Sequence, residues 1–382
     1  MTTGSPRSAP ERPHISDATL RDSAHMAGVE FGPKDAATIA GLLVATGVEL
    51  VEVGMISGPG ARHAELILAA HESIGPERSM SLVVVRDRHQ VAGALREAER
   101  LGVRHIMCSL PTSEWHAQLK LGTTSLKFAQ ALARSAIHQA KERGFHVTFS
   151  GEDGARTPTD RLVPYVTSGF LAGADRFRLA ETVACLSPWQ MEDTVTRLAA
   201  IDGAEIEVHS HNMLGMAVAN SLAAVRGGAR WISATVGGIG ERGGNTPLAE
   251  LLTALRVLHA DDRFDLTHLT ELTALTLRSA RLGDAFQPGP TTPHSFAYEL
   301  TGQLGHPEAY ETLPPELVGN RRRLNVRSRL TSGLIAWALA GTDIAVDLDA
   351  FTSWLLEHQR RDGYPLLDRD AIRTAATAFP TA

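Results

Sequence analysis

Glu205-Ile206-Glu207-Val208-His209-Ser210-His211-Asn212-Met213-Leu214-Gly215 opens as an apolar strand, closes on two histidines and runs into a helical pattern over 214–226. Residues i and i+2 of a strand face the same way. His209 and His211 therefore project together from one strand end. A pair of neutral imidazoles is half of a transition-metal site. Other strand ends carry complementary groups. The run 15–20 leads into Thr19-Leu20-Arg21-Asp22, and a later strand leads into Gly238-Ile239-Gly240-Glu241-Arg242-Gly243-Gly244-Asn245. Asp22, His209, His211 and Asn245 at separate strand ends would make a mixed nitrogen and oxygen site for a divalent cation.

The strand-then-helix unit repeats. Strands are expected over 15–20, 50–53, 81–85, 105–110, 146–150, 176–179, 205–209 and 231–236, with amphipathic helices between them such as 34–46, 90–101, 125–143 and 214–226. Several helical patterns end at glycine (Gly47, Gly102, Gly144, Gly173, Gly227), as helices often do just past their last turn. Eight such units over 14–260 fit an α/β fold of the (β/α)8 TIM-barrel type, which typically takes about 250 residues. A doubly wound sheet would alternate in the same way. The first turn lacks G-x-G-x-x-G, however, and the chemistry-bearing residues recur at many strand ends rather than at one switch point. After residue 260 the rhythm changes. A helix is expected over 265–281, a Pro/Gly/Thr loop over 287–293, and a small, mainly helical C-terminal region or lid fills 261–382. Residues 1–13, polar and rich in Pro and Ser, read as a disordered tail.

Composition narrows the function classes. With 382 residues, 43% hydrophobic and 21% charged, the chain is of ordinary globular make-up. A net charge of −6 argues against a nucleic-acid binder, which normally carries a basic excess. No apolar run approaches the roughly 20 residues that span a bilayer, so no membrane partner is expected. Cys108 and Cys185 lie far apart in apolar surroundings and read as buried free thiols, suited to a reducing cytoplasm.

Taken in order, these phrases resemble the DRE-TIM metallolyase (HMGL-like) superfamily, and within it homocitrate synthase and 2-isopropylmalate synthase. The resemblance spans residues 15 to 335. His209-Ser210-His211-Asn212-Met213-Leu214-Gly215 with Ala217-Val218-Ala219-Asn220 is similar to the family's H-x-H-N-D-x-G-x-A-x-A-N run. Gly240-Glu241-Arg242-Gly243-Gly244-Asn245 is similar to its G-E-R-x-G-N phrase. Leu119-Lys120-Leu121-Gly122, Gly151-Glu152-Asp153 with Arg156, and Glu181-Thr182 also have counterparts. The resemblance implies that Asp22, His209 and His211 hold a divalent metal (Mg, Mn, Zn or Co), with Asn245 beside or on it. It implies that Arg21 stabilises an oxyanion, that Thr182 binds a substrate carboxylate, and that Glu152 and Arg86 line the pocket, Glu152 either as a catalytic group or as an ion-pair partner of Arg156. Glu52 would bind substrate, act as a catalytic acid or orient a neighbouring group. The implied reaction joins acetyl-CoA or another acyl-CoA to a 2-oxo acid in a homodimer, each C-terminal region closing over a neighbouring barrel. The basic run Arg321–Arg323, with Arg327 and Arg329, reads as a solvated face that could also meet CoA phosphates.

The pattern breaks where acid/base groups belong. Related synthases carry Arg-Asp-Gly-Glu-Gln after the first strand; here the phrase is Arg21-Asp22-Ser23-Ala24-His25. Met213 stands at the aspartate of the H-N-D run, and Tyr298 and Gln303 stand where the accessory region has histidines. A condensation that takes a proton from an acyl methyl needs a base near neutral pKa, and His25 is the replacement, with Tyr298 a further titratable group. Arg21-Asp22-x-x-His25 resembles the 4-hydroxy-2-oxo-acid aldolases, whose histidine is the base. A metal-dependent aldolase using His25, or a degenerate non-catalytic paralogue, are therefore the alternatives to the acyltransferase.

Overall fold

A computed structural model describes residues 12–58, 63–283, 286, 293–311, 314–318, 321–325, 330–360 and 366–380. Eight parallel strands close into a barrel: β1 (His14–Asp17), β2 (Leu50–Ile56), β3 (Ser79–Val84), β4 (His105–Pro111), β5 (His146–Glu152), β6 (Arg176–Glu181), β7 (Ile206–Ser210) and β8 (Trp231–Ala234). Each pairs with the next, and β8 returns to β1 with His14 opposite Trp231 and Asp17 opposite Ala234. The expected (β/α)8 TIM barrel is the fold. The first strand stops at Asp17, short of the expected Leu20, because the Asp17 carboxylate accepts from the Thr19 N–H (2.8 Å) and hydroxyl (3.0 Å) and turns the chain.

Alternation along the strands sorts residues onto two faces. Val51, Val53, Val83, Ile106, Phe177, Leu179, Ile206 and Val208 face the helices in one large apolar core. The other face points into the barrel. Leu50, Met80, Leu82 and Met107 fill part of that interior, and the charged pairs Glu52–Arg178 and Arg178–Glu207 fill another part.

The helix Leu269–Ser279 was expected in the C-terminal region, but Leu272, Leu277, Ala280 and Leu282 all belong to the barrel core. The second core starts at Phe296, where Tyr298, Leu304, Leu324, Leu334, Ile335, Phe351, Leu355 and Ile372 pack together. Besides helices, this C-terminal unit contains a small sheet in which β10 (Arg323–Asn325) pairs with both β9 (Ala297–Tyr298) and β11 (Leu366–Leu367). Two barrel-loop residues, Ala184 and Met213, are built into the same core and fasten the unit to the mouth.

Residues 287–292 of the loop expected over 287–293 lie outside the described residues, as do residues 1–11 of the expected tail; Arg12 bonds Asp262 at 2.9 Å. Cys108 is buried as expected. Cys185 is exposed, because it stands on the loop after β6 at the barrel mouth rather than inside a strand or helix. Among the described residues no helix is long and apolar enough to cross a membrane.

A candidate metal centre and active site at the barrel mouth

The turn that ends β1 lifts Arg21, Asp22 and His25 over the C-terminal ends of the strands, where barrels assemble their sites. His209 and His211 reach the same place from the end of β7, and Asn245 from the loop after β8. The ligand atoms of Asp22, His209 and His211 lie within 4.8 Å of one another. His209 Nδ1 bonds Ser233 Oγ at 3.0 Å, and His211 Nδ1 donates to the Gly244 carbonyl at 3.1 Å. A carbonyl only accepts, so His211 Nε2 carries the lone pair, the arrangement by which an outer partner orients a ligating imidazole.

Burial pushes the His209 imidazole well below its ordinary range. Burial, aided by the Arg242 guanidinium, takes His211 down to about 4. Both rings are therefore neutral at neutral pH, the form that ligates. Burial works against the Asp22 carboxylate, but the Arg21 guanidinium bonded to it holds it well below the usual range.

Asn245 decides whether a cation fits. Its Nδ2 donates to Asp22 at 2.7 Å, while its Oδ1 is buried without a hydrogen-bond partner among the described residues. A buried oxygen left unpaired beside two imidazoles and a carboxylate is a fourth donor of the kind a divalent cation takes. The approach is close: a Cβ on Gly240 would stand 2.1 Å from Asn245 Nδ2. The residues present thus fit a divalent ion. Arg242 donates to His211 Nε2 at 2.9 Å and to the Thr182 carbonyl at 2.8 Å, so its guanidinium and a cation compete for one nitrogen.

His25 is half-buried and stands within 4.8 Å of carboxylate oxygens of Asp22 and Glu241. Glu241 is held in turn by Gln303 Nε2 (2.7 Å) and Arg242 (2.5 Å). Gln303, far along the chain, thus buttresses the carboxylate facing His25. Sequence reading missed Glu241 in this role.

Other expected site residues are placed differently. The ion pair expected between Glu152 and Arg156 does not form: Arg156 bonds Asp153 (2.7 Å), and Glu152 is gripped by Lys120 (2.6 Å) and His116 (2.8 Å). Burial opposes ionisation of Glu152, but Lys120 and His116 outweigh it and hold the carboxyl far below its usual range. A group so held is a poor proton carrier at neutral pH. His116, on the helix Glu114–Leu121, escaped notice in the sequence. Its Nε2 bonds the Ala309 carbonyl at 2.9 Å, and Tyr310 packs on its ring, so the C-terminal unit sits on the mouth of its own barrel.

Tyr298 belongs to the C-terminal core, where its hydroxyl donates to Glu311 at 2.8 Å. Burial and the Glu311 charge push the phenol well above its usual range, which removes it as a base. Glu52 is fully buried beneath Arg21, so it reaches the mouth only through that guanidinium. Thr182 accepts the Asp153 N–H at 2.9 Å. Arg86 is exposed past the end of β3, and among the described residues only its backbone N–H is engaged, by Gln90. The basic run is not a free face: Arg321 pairs with Asp368, and Arg322 with Glu311 and Glu316, which fastens the C-terminal unit together. Arg327 and Arg329 lie outside the described residues.

The HMGL-like family profile matches residues 12–276. The chain belongs to the HMGL-like family. It is a member of the DRE-TIM metallolyase superfamily that its motifs resemble. This HMGL-like chain is 33% identical over 335 residues to 2-phosphonomethylmalate synthase of Streptomyces rubellomurinus, covering 85% of this chain and 87% of that one. It is 32% identical over 319 residues to 2-isopropylmalate synthase 2 of Caldanaerobacter subterraneus subsp. tengcongensis, covering 81% and 80%. Among solved structures, the HMG-CoA lyase from Brucella melitensis matches with a TM-score of 0.61 at 17% identity, over 71% of this chain and 99% of that one. At that identity the likeness is one of fold.

Proposed function

We propose that this HMGL-like protein is a divalent-metal-dependent acyltransferase that condenses an acyl-CoA, acetyl-CoA first among them, with a 2-oxo acid. The observation that carries the reading is the joint placement of Asp22, His209, His211 and Asn245 around one point of the mouth, with Arg21 bonded to Asp22. Kinship with 2-phosphonomethylmalate and 2-isopropylmalate synthases supports it.

Asp22, His209, His211 and Asn245 would hold the cation. When bound, a divalent ion supplies Lewis-acid polarisation of a keto oxygen. Arg21 places fixed positive charge where negative charge develops on that oxygen, the interaction that contributes most in such reactions. Among the described residues the Thr182 hydroxyl donates to no acceptor, so it can donate to the acid's carboxylate while it accepts the Asp153 N–H. His25 takes the acyl methyl proton on a ring nitrogen, with Glu241 beside it to steady the imidazolium.

The test is thiol release from acetyl-CoA against a panel of 2-oxo acids, metal-loaded. Thiol appearing with one acid of the panel supports the reading. No thiol with any acid, together with cleavage of a 4-hydroxy-2-oxo acid to an aldehyde and pyruvate, would overturn it in favour of an aldolase that uses the same His25.

A further inference from the structure

Beneath Arg21 a chain of alternating charges runs down the inside of the barrel. Arg21 Nε donates to Glu52 Oε2 at 2.6 Å. Glu52 Oε1 accepts from Arg178 at 2.5 Å, and Arg178 Nη2 donates to Glu207 Oε1 at 2.7 Å. Ser16 donates to Glu207 as well, and Arg176 lies 3.6 Å from its other oxygen. Glu52, Arg178 and Glu207 are each at most 1% exposed. Barrel interiors are usually packed with branched aliphatic side chains. A buried ion pair is a weak source of stability, since well-packed apolar residues of similar size often serve as well or better. A ladder of them under the mouth calls for another reason.

The geometry supplies one. Arg21 spends Nε on Glu52 and Nη1 on Asp22, which leaves Nη2 uncommitted among the described residues and fixes the plane of the guanidinium. That plane is only as fixed as Glu52. Glu52 divides its two oxygens between Arg21 and Arg178, and Arg178 is itself held by Glu207. We propose that Arg178 and Glu207 are positioning residues that hold, through Glu52, the Arg21 guanidinium at the angle acyl transfer requires. The proposal rests on the acyltransferase reading for the use made of Arg21, though not for the ladder itself. Misplacing a group by about 1 Å from afar is enough to cost on the order of 100-fold in rate.

The experiment compares Arg178→Met, Arg178→Met/Glu207→Met and Arg178→Lys in the full chain. In the single Met variant Glu52 and Glu207 each lose one of their cationic partners, and the melting temperature falls. In the double variant Glu52 keeps Arg21, Arg176 loses Glu207 but keeps Glu205 at 3.3 Å, and melting recovers. The expected result is that kcat does not recover with it, staying about 10- to 100-fold down while KM for the 2-oxo acid moves less than about threefold. Arg178→Lys, with one compact charge in place of a fork, recovers part of the rate. A purely structural role would return kcat together with the melting temperature, and that result overturns the proposal.

Should the parent release no thiol with any acid, the function reading fails and the ladder is read directly by 15N NMR. The Arg21 Nε–H, assigned by its loss in Arg21→Lys, is expected to exchange slowly in the parent and at least about tenfold faster in the double variant, as a hydrogen bond loosened to solvent does. Unchanged exchange overturns the proposal as well.

Discussion

Asn245 donates one side-chain N–H to Asp22 at 2.7 Å and keeps its own carbonyl oxygen buried and unpaired among the described residues. The bond orients both residues at once. It turns the Asp22 carboxylate toward His209, whose Nε2 is 3.9 Å away, and leaves Asn245 Oδ1 as a ready donor. Titration with Mn²⁺ or Zn²⁺ is expected to fill one site per chain and raise the melting temperature, with about 2.7 kcal/mol of added stability at a hundred times Kd. Asp22→Ala and His209→Ala should lose the shift. A parent protein that binds neither ion would sink the metal centre.

His25 stands between the carboxylates of Asp22 and Glu241, and neither Glu152 nor Tyr298 is placed to exchange a proton near neutral pH. His25→Gln should therefore lower kcat by about 10² to 10⁴-fold, the usual worth of a general base, with metal content unchanged. Steady-state rates and metal analysis on the same preparation check this. A variant within about threefold of the parent would show that the proton leaves by another route.

All eight strands were legible, because period-two runs bounded by glycine and polar turns give a strong local signal. The groups gathered at the candidate metal centre were legible too, because Asp22, His209, His211 and Asn245 sit in short phrases at strand ends. What stayed hidden depends on neighbours across the barrel. Nothing in Arg176-Phe177-Arg178 says that Arg178 meets Glu207 on the next strand and Glu52 on the far wall. The His116–Glu152 contact joins residues of different βα units. Alternating charges on the inner-face positions of β2, β6 and β7 were the available signal, and they make sense only once the register is known.

Met213 replaces an acidic residue of the related synthases, and the structure gives the substitution a packing role. It lies 2% exposed in the C-terminal core with Phe296, Tyr298 and Leu304. A Cβ on Gly243 would come within 2.8 Å of its Cα, so the loops after β7 and β8 close tightly over it. Met213→Ala should cost about 2–5 kcal/mol by the cavity it opens, and Met213→Asp more, since it buries a charge without a partner. Both should raise protease sensitivity in the C-terminal unit before the barrel. An unchanged melting profile and cleavage pattern in Met213→Asp would refute this account of the junction.

Asp17 gives a pH dependence whose sign is fixed by its surroundings. Burial pushes its carboxyl from 3.8 up to about 7, against the hydrogen bonds from Thr19 that favour the anion. Between those two values the unfolded chain has released the proton while the native chain keeps it. Stability from this group is therefore full below about pH 4 and falls as pH rises to about 7, by about 4 kcal/mol at about 1.4 kcal/mol per unit. His209 and His211, depressed by burial, contribute a slope of the opposite sign at acid pH. The total curve alone thus does not isolate Asp17. The difference between parent and Asp17→Asn does. Asparagine copies the protonated acid: its oxygen accepts the Thr19 N–H and its NH₂ faces the Thr19 hydroxyl, which already accepts from the Val236 N–H at 2.8 Å. Urea unfolding of the two proteins should coincide near pH 4 and diverge toward pH 7, with the variant the more stable. Parallel curves across that range would mean that Asp17 ionises in the native barrel as easily as in the unfolded chain.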